Sequence, residues 1–157
     1  GAPYEFLWAN PYQPGLAYVH LPLVFHDAKS GTLLVRSSWE ENAVWFGLVG
    51  GRMQLFENGT VTEISGKGQT GEGSIDLGSS LILQGRVPMR FSAENETIFV
   101  VGLKAETPYD VEIDDEEMRE MKSDASGIVE FRFPAGRKIK ARIHAIMTPP
   151  AAQVGGK

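Results

Sequence analysis

The chain contains no cysteine. That excludes disulfide frameworks, thiolate zinc sites and cysteine nucleophiles, yet it leaves the compartment open, because cysteine-free proteins are also exported. Histidine is scarce, three in 157 residues, so imidazole chemistry has few places to sit. Long apolar runs are missing: none approaches the roughly 20 residues that span a bilayer. The N-terminus also lacks the basic region, apolar stretch and small-residue cleavage site of a signal peptide. The chain as written is expected to be soluble, with no membrane partner. A broad basic excess is missing too. The net charge of −5 argues against a nucleic acid partner, since phosphate binding relies on many Lys and Arg displacing counterions.

What is present is the punctuation of an all-β protein. Short runs rich in Val, Ile, Phe and Thr alternate with Gly, Pro, Asn and Asp, which predicts an antiparallel β-sandwich of many short strands with at most one short helix. Strands are expected at 21–25, 32–37, 43–49, 53–56, 60–64, 80–83, 89–92, 97–103, 109–113, 128–133 and 138–144. A chain of this length buries about 70% of its unfolded surface and needs no staples. The expected organisation is one sandwich over 1–148 and a frayed tail over 149–157. Gly1 reads as a cloning remnant, and Tyr4, Phe6, Leu7 and Trp8 read as the continuation of a longer protein, an excised domain.

Asn58-Gly59, flanked by two such runs, predicts a type I′ hairpin, because both central residues of that turn need positive φ. The stretch 66–73 carries four glycines and no apolar residue and is expected as an exposed loop. Segment 115–122, DEEMREMK, reads either as two helical turns with acids first and a base last, suiting the macrodipole, or as an elaborate hairpin loop. Alternation places Val129, Phe131 and Phe133 on a covered face and Ile128, Glu130 and Arg132 on the other. Segment 43–49 has no polar residue and is expected between two layers.

Charge is distributed unevenly. Between 104 and 124 lie nine acids and three bases, whereas 132–142 holds five bases and no acid. The alternation of Asp110, Glu112 and Asp114 suits hard cations in principle, but the Asp-x-Asp-x-Asp-Gly spacing is absent and a solvated acidic sheet edge explains the run. The basic segment is expected to pair with it inside the sheet.

Catalytic patterns are weak. No serine sits in a Gly-x-Ser-x-Gly elbow, and Glu40 and Glu41 are adjacent in a turn, where side chains diverge, rather than placed as a glycosidase pair. His20 and His26 are six residues apart, about 20 Å along a straight strand, which one zinc cannot bridge. His144 reads as structural. No metal and no cofactor is expected.

One hairpin remains, 32–51, TLLVRSSWEENAVWFGLVGG. It faces Val35, Arg36, Ser37, Ser38 and Trp39 across a turn towards Val44, Trp45 and Phe46, joining a guanidinium and hydroxyls to indole faces. That combination suits sugars, whose apolar faces stack on aromatic rings while their hydroxyls take polar partners. The same tryptophans also serve as core, and exposure decides between the two. The candidate carbohydrate-binding residues are Arg36, Trp39 and Trp45, with His20 and His26 from the preceding segment; no catalytic residue is assigned.

The run Leu34-Val35-Arg36-Ser37-Ser38-Trp39, then Ala43-Val44-Trp45-Phe46 and Gly50-Gly51, resembles the start of the C-terminal β-sheet domain of heparinase II/III-like polysaccharide lyases. So does the approach Leu21-Pro22-Leu23-Val24-Phe25 before an Asp-containing turn and Gly31. Val101-Gly102-Leu103, Pro108-Tyr109-Asp110-Val111 and Asp124-Ala125-Ser126-Gly127-Ile128 resemble the closing β module of carbohydrate-active proteins. Together they cover about two thirds of the chain. The resemblance implies a parent with an N-terminal α/α toroid as partner, a uronate polysaccharide cleaved by β-elimination, and a secreted or periplasmic location. The family places a histidine soon after the Gly-Gly position, whereas here Arg52, Met53 and Gln54 follow and the next histidine is His144. The chain is therefore expected to be a noncatalytic accessory domain that buttresses a toroid and lines a glycan cleft. An independent carbohydrate-binding module and a structural interaction domain are the alternatives.

Overall fold

The computed structural model describes residues 22–64 and 73–146. Thirteen strands and no helix occur among them, arranged in three mostly antiparallel sheets. The chain divides into two compact units, 1–69 and 70–157. The expected loop at 66–73 lies outside the described residues except for Gly73, and so do the N-terminal aromatic segment and the tail at 149–157.

The first unit is a meander: β1 (Val24–Asp27), β2 (Thr32–Arg36), β3 (Trp45–Val49), β4 (Arg52–Glu57) and β5 (Thr60–Ile64) lie side by side in chain order. Turn chemistry explains the order. Gly50 and Gly51 have φ of 60° and 79°, Asn58 and Gly59 of 52° and 76°, the positive pair that a type I′ turn demands and that matches the twist of the flanking strands. Two-residue loops then leave one register for each pair, Val49 opposite Arg52 and Glu57 opposite Thr60. One face of this sheet carries Leu33, Val35, Phe46, Leu48 and Met53, all buried. On the other, Phe25, Val49 and Val61 are exposed, so the apolar segment 43–49 is fully covered on one face and partly open on the other.

The second unit is a two-layer sandwich. One layer joins β6 (Gly73–Asp76), β7 (Ser80–Gln84), β9 (Thr97–Val101) and β12 (Val129–Arg132) in the order β12-β9-β7-β6, with β7 and β9 parallel. The other joins β8 (Met89–Ala93), β10 (Pro108–Ile113), β11 (Glu117–Lys122) and β13 (Ile139–Ala145) as β11-β10-β13-β8. Alternating residues meet in the core between them: Leu81, Leu83, Ile98, Val100, Val129 and Phe131 from the first layer, Val111, Ile113, Ile139, Ala141 and Ile143 from the second. Phe91 and Phe131 touch across the layers with ring centroids 6.1 Å apart. Complete burial of each such side chain contributes about 1.5–3 kcal/mol, which is why the two-residue period of β12, β10 and β13 dictates which way they face.

The structure decides one open reading and changes others. Segment 115–122 is no helix; it follows the hairpin alternative, most of it as the second strand, β11. Asp114 and Asp115 have φ of 54° and 58°, and the Glu116 N–H donates to the Ile113 carbonyl at 3.1 Å, so the acids that would have opened a helix form a tight turn. β11 then pairs with β10 along its length. The acidic strand β10 is not an edge; it is flanked by β11 and by the basic strand β13, and Glu112 lies directly opposite Arg142. β6, hidden in a glycine-rich and polar stretch, is, beside β11, a strand that composition did not reveal.

The loops of this unit are closed by specific hydrogen bonds. Lys104 N–H donates to the Tyr109 hydroxyl at 3.0 Å, and Thr107 N–H donates to Ser123 Oγ at 2.9 Å. Asp124, 7% exposed, accepts from Ser126 and Ile128 N–H at 2.8 and 2.9 Å. Gly127 is required there. Its φ is 80°, and a Cβ would lie 1.9 Å from the Leu103 carbonyl oxygen.

Candidate functional site

The β2–β3 hairpin folds around its own side chains. Ser37 N–H donates to the Val44 carbonyl at 2.8 Å, Val44 N–H donates back to Ser37 Oγ at 2.9 Å, and Glu40 N–H donates to Ser38 Oγ at 3.1 Å. Both hydroxyls expected as sugar partners thus hold the turn, the use to which Ser is best suited where a chain reverses. This places Trp39 at the end of the hairpin with 7% of its surface exposed. The Arg36 guanidinium lies over its ring at 4.5 Å, and Arg36 Nε donates to the Ser38 carbonyl at 3.1 Å. A cation held over an indole contributes about 0.5–2 kcal/mol, more as water is excluded. Arg36 and Trp39 therefore form a folding unit, and the Trp39 face beneath the guanidinium is taken.

Trp45 behaves differently. It is half-buried, directly opposite Arg36 on one side and Phe56 on the other, with Val61 next in the same row. The Trp45 and Phe56 rings stack with centroids 5.2 Å apart and planes 17° apart, a contact of about 0.5–1.5 kcal/mol beyond the area it buries. Gly47 makes room beside them, since a Cβ there would meet Leu34 at 3.3 Å and Trp45 at 3.9 Å. The row Arg36, Trp45, Phe56, Val61 is a partly open shelf across four strands of one sheet face.

Of the expected residues, the fold brings Arg36, Trp39 and Trp45 together. It does not add His26, which lies opposite Leu33 on the other face of the sheet, half-buried. His20 lies outside the described residues. Phe56 was missing from the expected set, although the signal was present: a two-residue turn at Gly50-Gly51 fixes Val49 opposite Arg52, and counting back pairs Trp45 with Phe56.

Beyond the shelf, Arg52 forms a two-pronged pair with Glu63, at 2.8 and 3.2 Å. The hydrogen bond from Arg52, reinforced by its charge, holds the Glu63 carboxyl below its ordinary range and raises the Arg52 guanidinium in turn. Both are exposed, so the pair adds little to stability. Among the described residues no group of three or more His, Asp or Glu is placed to hold a metal ion. The arrangement offers a stacking surface and a guanidinium.

No family model matches this chain, nor does any curated protein or solved structure.

Proposed function

We propose that this protein is a noncatalytic accessory β-sandwich of a polysaccharide lyase-like, carbohydrate-processing protein that works outside the cytoplasm, where it buttresses an α/α toroid and lines one wall of a glycan cleft. The observation that carries the noncatalytic role is how the hairpin spends its polar groups: Ser37 and Ser38 hold the turn, and the Arg36 guanidinium covers Trp39. Arg36, Ser37, Ser38 and Trp39 are thereby engaged in holding the hairpin. The lyase-like parentage rests on the sequence resemblance around that hairpin; the Arg52-Met53-Gln54 that follows Gly50-Gly51 in place of a histidine supports the noncatalytic role instead.

The test is direct. Incubated with heparin-like, alginate and pectic uronate polymers, the purified chain is expected to produce no unsaturated uronate absorbance, and its appearance would overturn the noncatalytic role. A second reading, an independent carbohydrate-binding module, draws support from the half-open Trp45–Phe56 stack beside Arg36. Under that reading Trp45→Ala removes binding to a neutral glycan. The accessory reading expects no neutral-glycan binding to remove.

A further inference from the structure

The outer face of the β11-β10-β13-β8 sheet is charged in an ordered way. Across it run two rows set by strand register: Glu112, Arg142 and Arg90 in one, Asp114, Lys140 and Ser92 in the next. Arg142 is already engaged, its Nη2 2.9 Å from Glu112 Oε1 and 3.5 Å from Asp115 Oδ1. Asp114 is engaged too, by the Lys140 backbone N–H at 2.8 Å and by Arg137 at 3.3 Å. Arg90, Lys140 and Ser92 are exposed, and among the described residues their side chains have no hydrogen-bond or ion-pair partner. Together with Glu112, Asp115 and Arg142 they line one depression in this face.

Arg90 stands directly opposite Arg142, and like charges facing each other across an antiparallel pair are unfavourable. The two carboxylates on Arg142 relieve it from one side and leave Arg90 without an ion-pair partner among the described residues on the other, with the Lys140 ammonium in the next row between Asp114 and Ser92. A guanidinium presents a planar fork that matches a carboxylate, and a neighbouring ammonium adds a point charge on a flexible stem. The same depression also holds carboxylate oxygens and a serine hydroxyl, which accept hydrogen bonds from hydroxyl groups. A dense phosphate array suits this face badly, because Glu112, Asp115, Asp110 and Glu120 share it and repel a continuous line of negative charge. An anion that is also rich in hydroxyls suits both halves.

We propose that this face binds a hydroxylated carboxylate, a sugar acid unit, with its carboxylate on Arg90 and Lys140, its hydroxyls on Ser92, Glu112 and Asp115, and Arg142 held as the fixed centre. The site rests on the chemistry of the face alone; its assignment to a saccharide chain rests on the carbohydrate reading above.

The experiment is calorimetric titration of the full chain with a short oligomer of galacturonic acid, with galacturonic acid monomer, with a neutral glucose oligomer and with single-stranded DNA. The proposal expects binding of the uronate oligomer, weakened by added salt and weakened about tenfold or more by Arg90→Gln and by Lys140→Gln. Arg132→Gln, on the other layer, is expected to leave it unchanged. Monomer binding that responds to the same two substitutions keeps the site and assigns it to a free sugar acid. No uronate binding, binding that ignores both substitutions, or DNA binding of equal strength overturns the proposal. Each of those results leaves the noncatalytic role standing, whereas unsaturated product from a uronate polymer would overturn that role and leave this site intact. Circular dichroism of each variant separates loss of binding from loss of fold.

Discussion

The two units use the same building material in different ways. In the first, every strand pairs with its neighbour in the chain; in the second, only β6–β7 and β10–β11 do, while β8–β13, β10–β13, β9–β12 and the parallel β7–β9 join strands that are distant in sequence. A meander is written in its turns. A sandwich with crossed connections is written in its core, because remote strands meet only when apolar faces from both layers are buried together. Local pairings also cost less loop entropy, which grows slowly but steadily with the length of chain enclosed. The first unit is therefore expected to be sensitive to its turns, and the second to the packing and loops that bring distant strands into register.

The sharpest break in that comparison is Gly127→Ala. The added Cβ would collide with the Leu103 carbonyl in a residue held at positive φ. A loss of roughly 3–5 kcal/mol is expected, the upper end of single-substitution effects, since backbone must move. Denaturant titration with amide exchange reads it, and protection in β9 and β12 should fall first. Undiminished stability would show that the loop is not what holds those strands together.

Turn substitutions probe the other side. Gly59→Ala, at a φ of 76°, meets open space, so its cost is conformational strain alone, about 1–2 kcal/mol. The same substitution at Gly73, whose φ lies outside the left-handed region and where a Cβ meets nothing, is expected to be neutral or slightly stabilising. Equal effects at the two positions would mean that turn geometry is not what orders the meander.

A smaller effect is expected from Glu112→Gln, which removes the direct cross-strand partner of Arg142. A partly exposed pair of this kind contributes about 0.2–1 kcal/mol and fades with salt. The matched substitution Glu63→Gln, at a more exposed pair in the first unit, should cost less, measured by urea midpoints at low and high salt.

Acid is the mildest probe. A backbone hydrogen bond from Lys140, assisted by Arg137, holds the Asp114 carboxyl below its ordinary range, and a hydrogen bond from Arg119 does the same to Glu117. Both folded-state values are depressed, so the unfolded chain takes up protons first as pH falls. Their contribution is complete above the unfolded values of about 4 and is lost as pH falls through the folded ones. Urea midpoints from pH 6 to 2, on the order of half-unit steps, should show this loss reduced in Asp114→Ala; an unchanged slope would remove Asp114 as a contributor.

Much of the fold was legible because its signals are local. The Asn58-Gly59 turn, the alternation of Val129, Phe131 and Phe133, and the attraction of the basic segment to the acidic strand all come from neighbours or from simple charge, and the structure contains each of them. Asp115 misled because an acid suits both a helix start and a left-handed turn, and the ladder with β10 decided between them. Gly73 to Asp76 carried one apolar side chain, Ile75, too little for a pattern, yet β7 supplied its hydrogen bonds. The candidate site was half legible: Arg36, Trp39 and Trp45 were expected together, but their division into a covered pair and an open shelf was not.

By itself the sequence determined the class of fold, the positions of the tight turns and the side of each regular strand that turns inward, because all three depend on backbone preferences and a two-residue period. Tertiary structure alone decided that β7 and β9 run side by side in parallel, that Phe91 meets Phe131 between the layers, and that Arg90 faces Arg142 across β8 and β13. Such meetings depend on register between strands, and register between strands remote in the chain is set by which apolar faces are buried together, a property that no short segment carries.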